Sequence, residues 1–219
     1  MADTSNIVSF DNEPLMLVDS DDIVIGYEEK AAAHRGNGLL HRAFSIFLFN
    51  DHGEVLLQQR SKLKPLWPEY WSNTCCSHPR RGETLSHATK RRLKEELNLE
   101  AELTFLYKFQ YHAMFNNIGS EHELCSVFIG NVMGRPLPEF NPTEIADTTW
   151  VSVDSVDEWL HSDSIQTTPW FALEWQRIKT NFEGNCPLAL EADCDYNQRN
   201  LGEESDQKCG RAIRPSSVR

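Results

Sequence analysis

The chain has 219 residues, 40 % of them hydrophobic, and a formal net charge of −12. That length suits one domain, or one domain with an appendage, and the apolar share is enough for a sizeable core. So acidic a chain repels phosphate backbones, which argues against general nucleic-acid binding, and any anionic ligand must be met by a local basic pocket or a metal.

The N-terminus, MADTSNIVSFDNEP, is polar and acidic, with neither the basic nor the apolar region of a secretory signal. No apolar run approaches the length of a membrane span. A cytoplasmic location is therefore expected, where the six cysteines stay as thiols instead of pairing as three disulfides. AFSIFLF (43–49) and EVLLQQR (54–60) read as strands, and NDHG between them reads as a hairpin turn. ETLSHATKRRLKEEL (83–97) reads as a helix stopped at Asn98. LTFLYKFQYHAMF and EHELCSVFIGNVM read as two more strands around NNIGS, and DTTWVSV as another. VDSVDEWL and PWFALEWQRIKTNF read as helices. Several strands with few helices predict an α+β domain over residues 1–182. From about Glu183 the chain is polar with few large apolar groups, so 183–219 is expected to be a disordered tail in which Cys194 and Cys209 have no function.

Chemistry-bearing residues cluster in four places. At 3.6 residues per turn, Leu85, Ala88, Thr89, Arg92, Leu93 and Glu96 share one helix face, which puts two charges where an apolar face is expected. They read equally as an ion pair within the helix or as part of a site, and the Arg-before-Glu order is the poorer one for a simple pair. In EHELC, strand alternation sends Glu121 and Glu123 to the same face, where two carboxylates repel unless a cation lies between them. Alone, that pattern more often marks a solvated face. With His34, His41 and His78 it would make a site for Mn²⁺, Mg²⁺, Zn²⁺ or Fe²⁺. SNTCCSHP (72–79) admits three readings: a zinc fragment, a Cys–His dyad or a buried inert thiol, and it lacks the paired spacing of zinc ribbons. Lys30, Arg60 and Lys64 are either ordinary surface charges or a diphosphate clamp.

The ordered set HRAFSIFLFN, LLQQRS, WPEYWSNTCCSHP, RRLKEELN, YHA, EHE and TPWF resembles type I isopentenyl-diphosphate delta-isomerase, of the Nudix superfamily, over roughly residues 15–178. The Nudix box is degenerate. Glu83, Arg91, Glu95 and Glu96 match it, but Ser77 stands at the first Gly position, Arg92 replaces a glutamate and Asn98 replaces the last Gly. The resemblance implies a Nudix-like mixed sheet flanked by helices. It also implies an enzyme that interconverts isopentenyl and dimethylallyl diphosphates in isoprenoid biosynthesis by metal-dependent proton addition and removal. It assigns Cys76, Glu123 and Tyr111 to catalysis, and Lys30, Arg60, Lys64, Ser77, Arg92 and Trp170 to substrate binding. His34, His41, His78, Glu121 and Glu123 are implied as ligands of Mn²⁺ or another divalent ion, and Glu96 as the residue that meets Mg²⁺ on the substrate diphosphate. Cys75 is expected to point elsewhere. WPEYW and TPWFALEW are expected to form an aromatic lid, with Trp67, Trp71 and Trp175 in packing roles. The expected partner is a small diphosphate, with no nucleic acid and no membrane, and the expected state is a monomer.

Overall fold

The computed structural model describes residues 7–182. The expected tail, with Cys194 and Cys209, lies outside the described residues. The elements are β1 (Pro14–Val18), β2 (Val24–Glu29), α1 (Lys30–Ala33), β3 (His41–Asn50), β4 (Glu54–Arg60), β5 (Trp71–Ser72), β6 (Cys75–Ser77), α2 (Leu85–Leu97), β7 (Leu103–Phe115), β8 (Gly119–Val132), β9 (Ile145–Ser152), α3 (Val156–Leu160) and α4 (Pro169–Phe182).

The nine strands among the described residues join one mixed sheet. Its spine is β3, which runs parallel to β8 in continuous register from His41↔Glu123 to Asn50↔Val132. β7 pairs antiparallel with β8, so that Tyr111 lies opposite Glu123. β6 pairs with β3 on its other side, placing Cys76 opposite Ser45. β3 is apolar on both faces because both are covered, as a central strand requires. One face carries Ala43, Phe47 and Phe49 against Phe171 and Trp175 of α4. The other carries Phe44, Ile46 and Leu48 against Ala88, Leu93 and Leu97 of α2. This is the α+β architecture the sequence predicts.

β4, β7 and α4 have the predicted bounds. α2 begins two residues later than its periodicity suggested, because Thr84 serves as N-cap and its hydroxyl accepts from the His87 amide at 3.3 Å. Asn98 ends it in the left-handed conformation, with φ 51°. The sequence assigned nothing regular before residue 43. The β1–β2 hairpin and α1 lie there, and they carry the chain to Lys30 and His34. No helix among the described residues is long and apolar enough to cross a membrane.

Candidate active site

A cavity of about 500 Å³ opens on the α4 side of β3 and β8. Strand alternation builds one wall, with Glu121 and Glu123 of β8 facing inward beside His41 of β3 and Tyr111 of β7. α1 ends at His34, and the turn after β6 brings in His78. Ligand atoms of His34, His41, His78, Glu121 and Glu123 all lie within 4.8 Å of one another.

The orientation of these groups tests whether a cation suits them. His34 and His41 each direct Nδ1 at a backbone carbonyl, Lys30 O at 2.7 Å and Leu39 O at 2.7 Å. Those bonds leave the Nε2 lone pairs facing inward. His34 Nε2 stands 2.7 Å from Glu121 Oε2, an oxygen with no hydrogen-bond partner. His41 Nε2 is 3.1 Å from His78 Nε2 and 3.6 Å from Glu123 Oε1. Burial and the neighbouring His41 hold His78 well below the usual imidazole range, so its ring stays neutral. Lone pairs and carboxylate oxygens crowded in this way repel unless they share a cation, and three imidazoles with two carboxylates suit a divalent one. The residues fit such an ion.

Cys76 and the Glu123–Tyr111 pair line the same cavity. Burial pushes the Cys76 thiol up to about 12, so it stays protonated and is a potential acid, not a ready thiolate nucleophile. Burial alone would raise Glu123, but His41 and then Tyr111 outweigh it and hold the carboxyl below its ordinary value. Tyr111 donates its hydroxyl to Glu123 Oε2 at 2.7 Å. Cys75, one residue away, is fully buried on the opposite face among Phe44, Ile46 and Leu93. The two thiols therefore serve different sides of the sheet, and a zinc fragment built on both is excluded. Cys75, Cys76 and Cys125 are free thiols.

The far end of the cavity is cationic. Lys30, Arg60, Lys64 and Arg92 line it together with Ser77 and Trp170. Burial, then repulsion from Lys64, brings Lys30 down to about 8. Arg60 is tied down: Nε donates to Trp67 O at 3.0 Å and Nη2 to Leu66 O at 2.8 Å. Its guanidinium lies 5.2 Å from the centre of the Trp170 ring. Arg92 pairs with Glu96, so the two sequence-level readings of that helix face coincide: an i,i+4 ion pair that also borders a site.

Three features correct or extend what the sequence predicts. Glu96 is buried behind Arg92 and is not among the cavity-lining residues, whereas Glu144, just before β9, is. The N-terminal segment supplies Ile7, Ser9 and Asp11 to the wall, with Val8 O accepting from Arg92 Nη1 at 2.9 Å. Within WPEYW, Trp67 packs edge-on to Trp170 at 5.2 Å and Trp71 packs on Trp159. That stretch backs Trp170 and does not line the cavity, because its rings are taken up by packing. The lining there comes from Leu63, Pro65 and Leu66 instead. A polar run legible only as single loop residues gave no signal for Glu144 or Ser9.

The NUDIX domain family model matches residues 39–171. Isopentenyl-diphosphate Delta-isomerase 1 of Photorhabdus laumondii is 44 % identical over 171 residues, covering 77 % of this chain and 96 % of its own. The isopentenyl-diphosphate Delta-isomerase of Nocardia farcinica is 42 % identical, covering 73 % and 90 %. Among solved structures, a Deinococcus radiodurans protein aligns with a TM-score of 0.62 at 24 % identity, covering 75 % of this chain and 98 % of its own. The MutT protein of Methanosarcina mazei aligns at 0.51 with 16 % identity, covering 67 % and 96 %. At those identities the structural likeness speaks for the fold alone, and the sequence relatives speak for the family. With the degenerate Nudix box and the Cys76/Glu123 cavity, they show that the chain belongs to the isopentenyl-diphosphate Delta-isomerase family of the NUDIX superfamily.

Proposed function

We propose that this protein interconverts isopentenyl diphosphate and dimethylallyl diphosphate by proton addition and removal. The observation that carries the reading is a protonated thiol, Cys76, and a phenol-bonded carboxylate, Glu123, lining one cavity whose other end is cationic. The diphosphate binds Lys30, Lys64 and Arg92, with Ser77 and Arg60 beside them, and does not react. Its binding energy fixes the alkene between the acid–base groups.

One member of the Cys76/Glu123 pair gives a proton to the terminal methylene carbon. The other takes a proton from the allylic carbon, and the double bond moves between them. Proton count and charge are unchanged overall. Tyr111 steadies Glu123 through its 2.7 Å hydrogen bond. The intermediate state has tertiary-carbocation character. The Trp170 π face stabilises such charge by about 2 kcal/mol when water is excluded, and the inward carboxylates add to it. His34, His41, His78, Glu121 and Glu123 would hold Mn²⁺ or another divalent ion, and Mg²⁺ would accompany the diphosphate at the cationic end, where Glu144 lines the cavity and the expected Glu96 lies behind Arg92. Such ions supply positive charge that makes a bound carboxylate a weaker base and offsets the charge of the anion.

Proton NMR of the protein with isopentenyl diphosphate and Mg²⁺ in D₂O tests this reading. Dimethylallyl methyl signals carrying deuterium, with no phosphate released, are expected. Phosphate release without allylic product would instead point to hydrolysis, and an unchanged substrate with folded, metal-supplied protein would rule out turnover.

A further inference from the structure

The cationic end of the cavity contains a carboxylate that the proposed reaction does not use. Glu144 is 4 % exposed. Its Oε2 accepts from Lys64 Nζ at 2.5 Å and stands 3.4 Å from Arg92 Nη2. The same Arg92 nitrogen pairs with Glu96, so both carboxylates meet on one guanidinium. Lys64 and Arg92 together hold Glu144 down to about 2 against the effect of burial, and it is ionised at any working pH.

The sheet sets this position. Arg60, the last residue of β4, lies opposite Ile145 at the start of β9. Ser61 N then donates to Glu144 O at 2.9 Å, tying the loop that carries Lys64 to the residue that pairs with it. Arg92 meanwhile retains a buried Nε with no partner while lining the cavity, a donor still without its acceptor.

These contacts have an electrostatic consequence. A bare diphosphate entering the cavity must compete with Glu144 for both Lys64 and Arg92, and it meets a fixed negative charge at close range. Like charges a few ångströms apart in a partly desolvated site repel by several kcal/mol at an effective dielectric of about 20. A diphosphate that brings a divalent cation turns that repulsion into attraction, because Glu144 then faces the cation.

We propose that Glu144 is a specificity-determining residue of the clamp, which makes it take a diphosphate carrying its own divalent cation and turn away the bare anion. Glu144, open to the cavity, faces the incoming complex, while Glu96 neutralises Arg92 from behind. The inference rests on the reading of this cavity as a diphosphate site.

The test is calorimetric titration of inorganic diphosphate into protein already carrying one equivalent of Mn²⁺, with and without excess Mg²⁺, for the unmodified chain and for Glu144→Gln. In the unmodified chain Mg²⁺ should tighten binding. In the variant, metal-free diphosphate should bind at least about tenfold tighter than to the unmodified chain, about 1.4 kcal/mol, and Mg²⁺ should add little. A loss of affinity for a merely structural reason would not tighten metal-free binding. A Mg²⁺ effect within about twofold of the unmodified chain overturns the proposal, and so does weaker metal-free binding, which would mean that Glu144 only holds Lys64 and Arg92 in place. Should Glu144→Gln fail to fold, Glu144→Asp replaces it. That variant should still reject the bare anion but lose part of the Mg²⁺ gain, and an unaltered gain again overturns the proposal. If the unmodified chain neither binds the Mg²⁺ complex nor isomerises substrate, the function reading fails. If it does both and the variants match it, only the role of Glu144 fails.

Discussion

Cys75 and Cys76 are adjacent, yet the pleat of β6 sends one into the α2-side core and the other into the cavity. Their substitutions should separate accordingly. Cys76→Ala should lower kcat by about 10²–10⁴-fold, the span of a positioned acid or base, with diphosphate affinity by calorimetry retained. Cys75→Ser should leave kcat in place but cost about 1–3 kcal/mol of stability in urea denaturation, because it buries a hydroxyl without an assured partner. Lys30 supplies a pH signature. Burial and Lys64 bring its ammonium down to about 8, so the clamp loses a cation as pH rises through that value. KM for isopentenyl diphosphate should rise over that interval, and Lys30→Arg, whose guanidinium stays charged, should flatten the alkaline limb in steady-state assays. The residue types that the proposed chemistry calls for can be read in the sequence. Which residue faced the cavity at the clamp was not, since Glu144 and Glu96 are both acidic and only packing hides one behind Arg92.

At the scale of elements, the candidate metal-ligand group depends on how closely the 34–38 turn approaches the start of β8. Ser120 N donates to His34 O at 2.9 Å, and a Cβ on Gly119 would stand 2.5 Å from that same oxygen. Backbone cannot yield there as a flexible side chain would. Gly119→Ala should therefore push the turn away and separate His34 from Glu121, lowering divalent-metal affinity by about 10–100-fold. Titration with Mn²⁺ followed by electron paramagnetic resonance would measure this loss, with circular dichroism confirming that the fold survives. The elements were read most accurately where periodicity runs long. β7, α4 and the C-terminal end of α2 match because many residues vote for one period and Asn98 tolerates the left-handed turn. β1, β2, β5 and β6 escaped notice because they are short, and because β1 and β2 read as polar or irregular without their partner strands.

At the scale of the whole molecule, α4 is locked to the sheet through an unusual group. Glu174 is fully buried, 3.6 Å from the Cys125 thiol, and its backbone carbonyl accepts from the Tyr107 hydroxyl at 3.0 Å. Burial pushes its carboxyl from the ordinary 4.5 up to about 8. Between those values the folded protein holds a proton that the unfolded chain releases, so this residue makes stability fall as pH rises from about 4.5 through about 8. Glu174→Gln should remove that part of the slope and melt at a higher temperature than the unmodified chain above pH 8, by calorimetric scans across the alkaline range. The helix pattern of PWFALEWQRIKTNF placed Glu174 on no evident site, and only the docking of α4 over Cys125 gives it consequence.

The sequence by itself determined what depends on neighbours along the chain: the alternation that turns Glu121 and Glu123 the same way, the inward Arg92 and Glu96, and the order of motifs that identifies the family. Tertiary structure alone decided what depends on pairing between distant segments. The parallel register His41↔Glu123, the antiparallel register Tyr111↔Glu123 and the meeting of β4 and β9 that sets Glu144 against Lys64 are of this kind. A period of two or 3.6 states which face a side chain occupies but not which strand lies beside it. That choice is made by burial of both faces of β3 at once, a property of the assembled sheet and of no local stretch.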